Sequence, residues 1–173
     1  MTDFDIPVLG LSAYSGTGKT TLLRKLIPLL RAEGVRVAVI KHAHHDFDID
    51  TPGKDSYELR KAGADQVLIA SDNRRALITE TVPAREPELA ELVKSIDLTQ
   101  VDLVMVEGFR HLPFNKIELH RSSLGTPLIF PEDGSIIAIA SDEPVDAGDL
   151  VQLDINSPQQ VTLFISDWLK NQA

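Results

Sequence analysis

The chain contains no cysteine, which excludes disulfides and thiolate metal sites and leaves oxygen and nitrogen as ligands for any bound cation. It also lacks a long hydrophobic run: nothing approaches the ~18 apolar residues that cross a bilayer. The opening Met-Thr-Asp-Phe-Asp carries neither the basic nor the apolar stretch of an export signal, so a cytoplasmic location is expected. Positive charge is scarce. Lys and Arg number 17 against 26 Asp and Glu, a formal net charge of −9, and that balance argues against a broad footprint on nucleic acid or an anionic membrane. There is no internal repeat and no low-complexity linker, so residues 1–173 are expected to form a single domain. A domain of that size buries about 70% of its extended-chain surface.

What is present begins with Ala13-Tyr14-Ser15-Gly16-Thr17-Gly18-Lys19-Thr20. An apolar stretch at 6–12 reads as a buried strand before it, and leucines at 22, 23, 26, 29 and 30 mark an amphipathic helix after it. Strand, glycine-rich turn and helix in that order form a phosphate loop. Its backbone N–H groups and the positive end of the helix converge on one anionic point. Lys19 supplies a mobile cation for the β- and γ-phosphates, and the Thr20 hydroxyl can take one position on Mg²⁺. The first motif position holds Ala13 instead of glycine, so the loop must open in a conformation that an L-residue tolerates. An acidic protein that binds a triphosphate must concentrate its positive charge locally, and this loop does so.

Further along, Pro28 is expected to kink the first helix or end it early, and Gly34 to close it. Residues 35–41 read as a second strand, 54–62 as a short helix ended by Gly63, 66–70 and 76–79 as two short strands, and 86–96 as a helix. Residues 101–106 read as a central buried strand and 136–140 as another. A C-terminal helix capped by Asn156 or Ser157 runs to about residue 170. Residues 116–121 and 126–131, around Ser122-Ser123-Leu124-Gly125, read as a protruding β-hairpin inserted at about 115–131, suited to dimer contacts. Strands alternating with helices mean an α/β fold with a mainly parallel sheet, whose ligands sit outside the carboxyl ends of the strands.

Three constellations fall at such ends. Glu107 closes the apolar run 103–106, where a carboxylate can bind Mg²⁺ through water or orient an attacking water; a plain strand-terminal salt bridge is the alternative. Gly108 beside it lets the backbone pass close to a γ-phosphate. The stretch 41–50 holds three of the five histidines (His42, His44 and His45) and alternating aspartates at 46, 48 and 50. It is read either as a switch-like loop in which Asp46 or Asp48 serves the nucleotide's Mg²⁺, as an independent transition-metal site, or as a solvated loop pinned by Phe47 and Ile49. Ser141-Asp142 ends a buried strand, where an aspartate can accept from N1–H and the 2-amino group of guanine, although such pairs also begin turns. Arg110 and His111 face either the same rim or solvent.

Four segments then carry a resemblance over almost the whole chain: residues 15–21 (Ser-Gly-Thr-Gly-Lys-Thr-Thr), 40–56 (Ile-Lys-His-Ala-His-His-Asp-Phe-Asp-Ile-Asp-Thr-Pro-Gly-Lys-Asp-Ser), 60–64 (Arg-Lys-Ala-Gly-Ala) and 106–109 (Val-Glu-Gly-Phe). Together they resemble the MobB family, the molybdopterin-guanine dinucleotide biosynthesis adapter proteins. The resemblance implies a P-loop NTPase-type three-layer sandwich. It implies a dimeric GTP-binding accessory protein with weak GTPase activity that assists the MobA-type guanylyltransferase in joining GMP to molybdopterin. Ser15, Gly16, Thr17, Gly18, Lys19, Thr20 and Thr21 would hold GTP, with Ser141 and Asp142 at the base. Thr20, Glu107 and Asp46 or Asp48 would surround Mg²⁺, and Lys19 and Glu107 would act on the phosphates. Hydrolysis is expected to be slow, because no arginine finger or water-positioning glutamine is assured in the chain. A small-molecule kinase and a metal-delivering maturation GTPase are the rival readings.

Overall fold

The structure is a computed structural model describing residues 4–43 and 47–172. Its larger compact unit comprises residues up to 42 and from 89 onward, and a smaller one spans residues 43–88.

The larger unit is built on six parallel strands in the order β2-β5-β1-β6-β7-β8. These are β1 (Val8–Ser12), β2 (Val37–Lys41), β5 (Leu103–Glu107), β6 (Lys116–His120), β7 (Ile136–Ser141) and β8 (Val151–Asp154). Alternation along the strands divides the core. Leu9, Leu11, Leu103, Met105, Ile117 and Leu119 point to one face, where the leucines of α1 (Lys19–Ala32) and Val161 and Ile165 of α4 (Pro158–Lys170) cover them. Val8, Val104 and Val106 point to the other, against Leu89 and Val93 of α3 (Leu89–Lys94) and the rings of Phe109 and Phe114. The result is three layers, helix on sheet on helix and loop.

Local chemistry explains the helix ends. Gly34, at φ 85°, donates its N–H to the Arg31 carbonyl while Val35 N–H reaches that of Leu30, closing α1. The Ser157 hydroxyl accepts from Gln160 N–H, and Pro158 occupies the first turn of α4, where its missing N–H costs nothing. Pro28 does not end α1 early: the helix continues to Ala32. Pro28 and Arg24, one turn back, both lie on the exposed side, so water can take the carbonyl that the proline leaves unpaired.

The smaller unit pairs α2 (Asp55–Lys61) with an antiparallel hairpin, β3 (Gln66–Ser71) and β4 (Arg74–Thr79). Among the described residues this is the β-hairpin. The expected one at 115–131 is not formed: β6 is an interior strand with β1 and β7 on its flanks, and residues 126–131 contain no strand. The misreading has a physical cause. In Lys116-Ile117-Glu118-Leu119-His120, polar residues alternate with apolar ones as they do on a strand with one wet face. Yet Lys116 and Glu118 are 1% exposed and His120 9%. Backbone groups and one carboxylate satisfy the first two. Lys116 Nζ donates to the carbonyls of Arg110 (3.0 Å) and Leu112 (2.5 Å) and pairs with Asp133 at 2.9 Å. Glu118 accepts from Ile129 and Phe130 N–H at 2.8 Å each. Burial raises the Glu118 carboxyl above its ordinary pKa, against the pull of those two donors.

Candidate functional site

All six strands of the central sheet end on one edge, and the loops leaving that edge hold the candidate residues. β1, fully buried, delivers the chain into residues 13–18. Gly16 and Gly18 take φ of 83° and 102°, values that require glycine, and Gly18 leads directly into α1. Among the described residues Phe109 is the one non-glycine with positive φ, so Ala13 adopts an ordinary backbone and its departure from the motif is accommodated. The Thr17 hydroxyl donates to the Tyr14 carbonyl at 2.9 Å. Lys19 Nζ donates to the carbonyls of Ala13 (2.9 Å) and Tyr14 (3.0 Å). The ammonium thus lies across the mouth of its own loop. Burial lowers its pKa; Glu107 opposes that shift, and the like charges of Arg110 and Lys41 add to it.

Glu107 closes β5, in register with Leu11 on one side and Lys41 on the other. Its carboxylate is 15% exposed and lies 3.7 Å from Lys41 Nζ. The next two residues are conformationally special. Gly108 has φ 112°, and a Cβ there would meet that of His42 at 2.6 Å. Phe109, at φ 52° and 3% exposed, stacks on the His42 ring with centroids 4.5 Å apart. The turn then presents Arg110, whose guanidinium sits 5.7 Å over the Tyr14 ring of the phosphate loop.

The Thr20 hydroxyl and the Glu107 carboxylate are hard oxygen donors, the kind Mg²⁺ takes. Among the described residues no three His, Asp or Glu side chains form a metal cage. The donor set therefore fits an ion held mainly by phosphate oxygens and water, with one or two protein ligands. Asp48 belongs to the smaller unit, where Arg60 binds both its oxygens at 2.7 Å. The hydrogen bond from Arg60 keeps the Asp48 carboxyl below its ordinary pKa. Asp46, His44 and His45 lie outside the described residues.

At the other end of the edge, the Ser141 hydroxyl donates to the Glu143 carbonyl at 2.6 Å. Asp142 Oδ1 accepts from Ser122 N–H at 2.9 Å, and Oδ2 faces Arg121 at 3.7 Å. Neither Ser141 nor Asp142 lines the cleft of about 180 Å³ that opens beside the loop. Its walls are Gly16, Thr17, Gly18 and Thr21, then Leu22 and Lys25 of α1, then Arg121, Ile155 and Asn156. Arg121 follows β6 and Asn156 follows β8. The sequence marks neither as a cleft residue: the alternation along residues 116–120 mimics a hairpin strand and hides Arg121, and the four-residue β8 is too short to show a strand period before Asn156.

The family model for molybdopterin guanine dinucleotide synthesis protein B, MobB, matches residues 8–142, from the first residue of β1 to the residue after β7. The chain belongs to the MobB family. Relatives agree along nearly the full length. The molybdopterin-guanine dinucleotide biosynthesis adapter protein of Escherichia coli is 49% identical over 168 residues, 96% of this chain and 95% of its own. That of Haemophilus influenzae is 47% identical over 165 residues, 95% and 90%. A solved structure of molybdopterin-guanine biosynthesis protein B superposes with a TM-score of 0.73 at 27% identity, covering 93% of this chain and 99% of that one. The Bacillus subtilis MobB structure, at 22% identity and TM-score 0.71, shares the fold. A mixed α/β MobB fold with a six-stranded parallel sheet is thus established from two directions. No helix among the described residues is long and apolar enough to cross a membrane.

Proposed function

We propose that this chain is a GTP-binding adapter in the synthesis of molybdopterin guanine dinucleotide, assisting the guanylyltransferase that joins GMP to molybdopterin. The observation that carries the reading is the loop itself, with glycines at positive φ, the start of α1 behind it, Lys19 across its mouth and Glu107 at the end of the adjacent strand β5. Ser15 to Thr21 supply N–H groups and hydroxyls to the phosphates, and Lys19 exchanges the carbonyls of Ala13 and Tyr14 for β- and γ-phosphate oxygens. Thr20 and Glu107 hold Mg²⁺, which neutralises charge on those oxygens when bound. Hydrolysis is slow at most. Arg110 rests on Tyr14 and would have to leave that ring to reach a γ-phosphate.

The dimer and the partner enzyme are part of the same proposal. Leu68 and Leu77 of the smaller unit are 64% and 56% exposed and face each other across the hairpin, which supports a protein-facing surface there. The test is equilibrium binding of GTP, with and without Mg²⁺, to the wild type and to Lys19→Ala, together with a pull-down of the guanylyltransferase under GTP, GDP and no nucleotide. Lys19→Ala is expected to abolish binding while leaving the fold intact. Unchanged affinity in that variant removes the phosphate-loop assignment.

A further inference from the structure

The cleft beside the phosphate loop has a chemistry of its own. At about 180 Å³ it is smaller than the roughly 300 Å³ at which whole-ligand sites begin. It therefore suits one part of a ligand whose remainder lies elsewhere. Lys19 and Glu107 are not among its walls, while Thr21 and Lys25, one helical turn apart on α1, are. It thus extends from the loop away from the Glu107 side, where the nucleoside of a loop-bound nucleotide would lie. Leu22 and Ile155, 3% and 4% exposed, give it apolar surface for a ring. Lys25, Arg121 and Asn156 supply polar groups.

Arg121 sets how Asn156 is presented. Its Nε donates to the Thr17 carbonyl at 3.1 Å, and both terminal nitrogens reach Asn156 Oδ1, at 3.4 and 3.3 Å. The Asp142 carboxylate stands 3.7 Å behind the same guanidinium. A guanidinium has donors only, so the Asn156 amide must turn its oxygen toward Arg121 and its Nδ2 hydrogens elsewhere. The group offered to a ligand in the cleft is accordingly a donor. A 6-oxopurine presents acceptors at O6 and N7, whereas adenine replaces the first with the N6 amine, itself a donor.

We propose that this cleft is the base subsite, that it takes a 6-oxopurine, and that Asn156, oriented by Arg121, determines that preference. The inference rests on the nucleotide-binding reading above. It gives Arg121 a positioning role and makes Asp142 the brace of Arg121 rather than the reader of the base.

The test is titration of GTP, ITP and ATP into the wild type, Asn156→Ala, Asn156→Asp, Arg121→Met, Arg121→Lys and Lys19→Ala, each checked for folding by thermal melting. The Asn156 backbone N–H donates to Asp154 Oδ1, so replacing the Asn156 side chain leaves that turn in place. ITP keeps O6 and N7 but lacks the 2-amino group, and it is expected to bind within about threefold of GTP. Asn156→Ala is expected to lower GTP and ITP affinity about tenfold and to leave ATP unchanged. Asn156→Asp, an acceptor, is expected to reverse the order toward ATP. Arg121→Met is expected to shrink the GTP-to-ATP ratio, and Arg121→Lys to restore part of it. If Asn156→Ala leaves that ratio unchanged while Lys19→Ala still abolishes binding, the subsite is wrong and the nucleotide reading stands. ITP binding as weakly as ATP overturns the O6 assignment in favour of an acceptor for the 2-amino group. A wild type that binds none of the three overturns both proposals.

Discussion

Gly10 and Lys116 occupy one space: a Cβ on the glycine would stand 2.7 Å from Lys116 Cγ, with the Phe114 ring at 2.8 Å. The two residues face each other across β1 and β6. The bare glycine lets an aliphatic stem run through the sheet's packed face, so that the ammonium at its end can gather Arg110, Leu112 and Asp133. Gly10→Ala should therefore destabilise the protein by about 1–3 kcal/mol through overpacking. Urea unfolding of the two proteins measures this directly, and an unchanged midpoint would mean that Lys116 has room to shift.

Gly108→Ala should cost more, about 2 kcal/mol or above. Two effects combine, a positive φ of 112° and a contact of 2.6 Å with His42 Cβ that no side-chain rotation relieves. The variant should also push His42 off the Phe109 ring. Loss of ring-current shifts on the His42 protons in NMR spectra checks the second point independently of stability.

Within the smaller unit, Arg60 ties three segments together, binding Asp48 before α2 and Glu80 after β4, both at 2.7 Å. Arg60→Met should leave two carboxylates without their cation and open residues 47–80 to proteolysis. Limited digestion should nick this stretch faster than in the wild type, while the strands of the large sheet stay resistant. Equal digestion rates would show that the hairpin and helix hold without the arginine.

Asp102 should titrate at about 2, below the ordinary carboxyl value of 3.8. The Arg36 side chain is the main cause, with its backbone N–H second; the carboxylate accepts from Arg36 Nη2 at 2.7 Å, Nε at 2.9 Å and N at 2.8 Å. A lowered folded-state pKa contributes stability that is present above 3.8 and is lost as pH falls toward 2. The pair is exposed, so the effect on overall stability is small. Carbon-detected NMR titration of the wild type and Arg36→Met checks it, since the midpoint should return toward 3.8 in the variant.

Much of this was legible in the order of residues. Leucines at helical spacing marked α1, four consecutive apolar residues marked β5, and the glycines at 16 and 18 marked the loop, because each signal comes from local geometry. The expected helix 86–96 contracts to Leu89–Lys94, where Leu89 and Val93 are buried and Leu92 packs partly against the same cluster. What local geometry could not reveal was the burial of Lys116, Glu118 and His120. Lys116 and Glu118 are satisfied by backbone groups 4 to 12 residues away and, for Lys116, by the Asp133 carboxylate, none of which a strand period encodes. The same alternation hides Arg121, while Asn156 is hidden by the shortness of β8, since a residue is recognised at a site only when its strand is recognised as part of the sheet.

The all-parallel order of the large sheet also bears on how the chain reaches its structure. Val8 pairs with Val104 and Gly10 with Lys116, so the central contacts wait until distant stretches of chain meet. Parallel neighbours have no tight turn to bring them together. The β3–β4 hairpin, closed between Ser71 and Arg74, needs no such search. Hairpins form in roughly 1–10 μs, whereas non-local pairings are slower by orders of magnitude. Glu107 stands alongside the phosphate loop only where β5 lies against β1, so the candidate site depends on a pairing between stretches about a hundred residues apart in sequence.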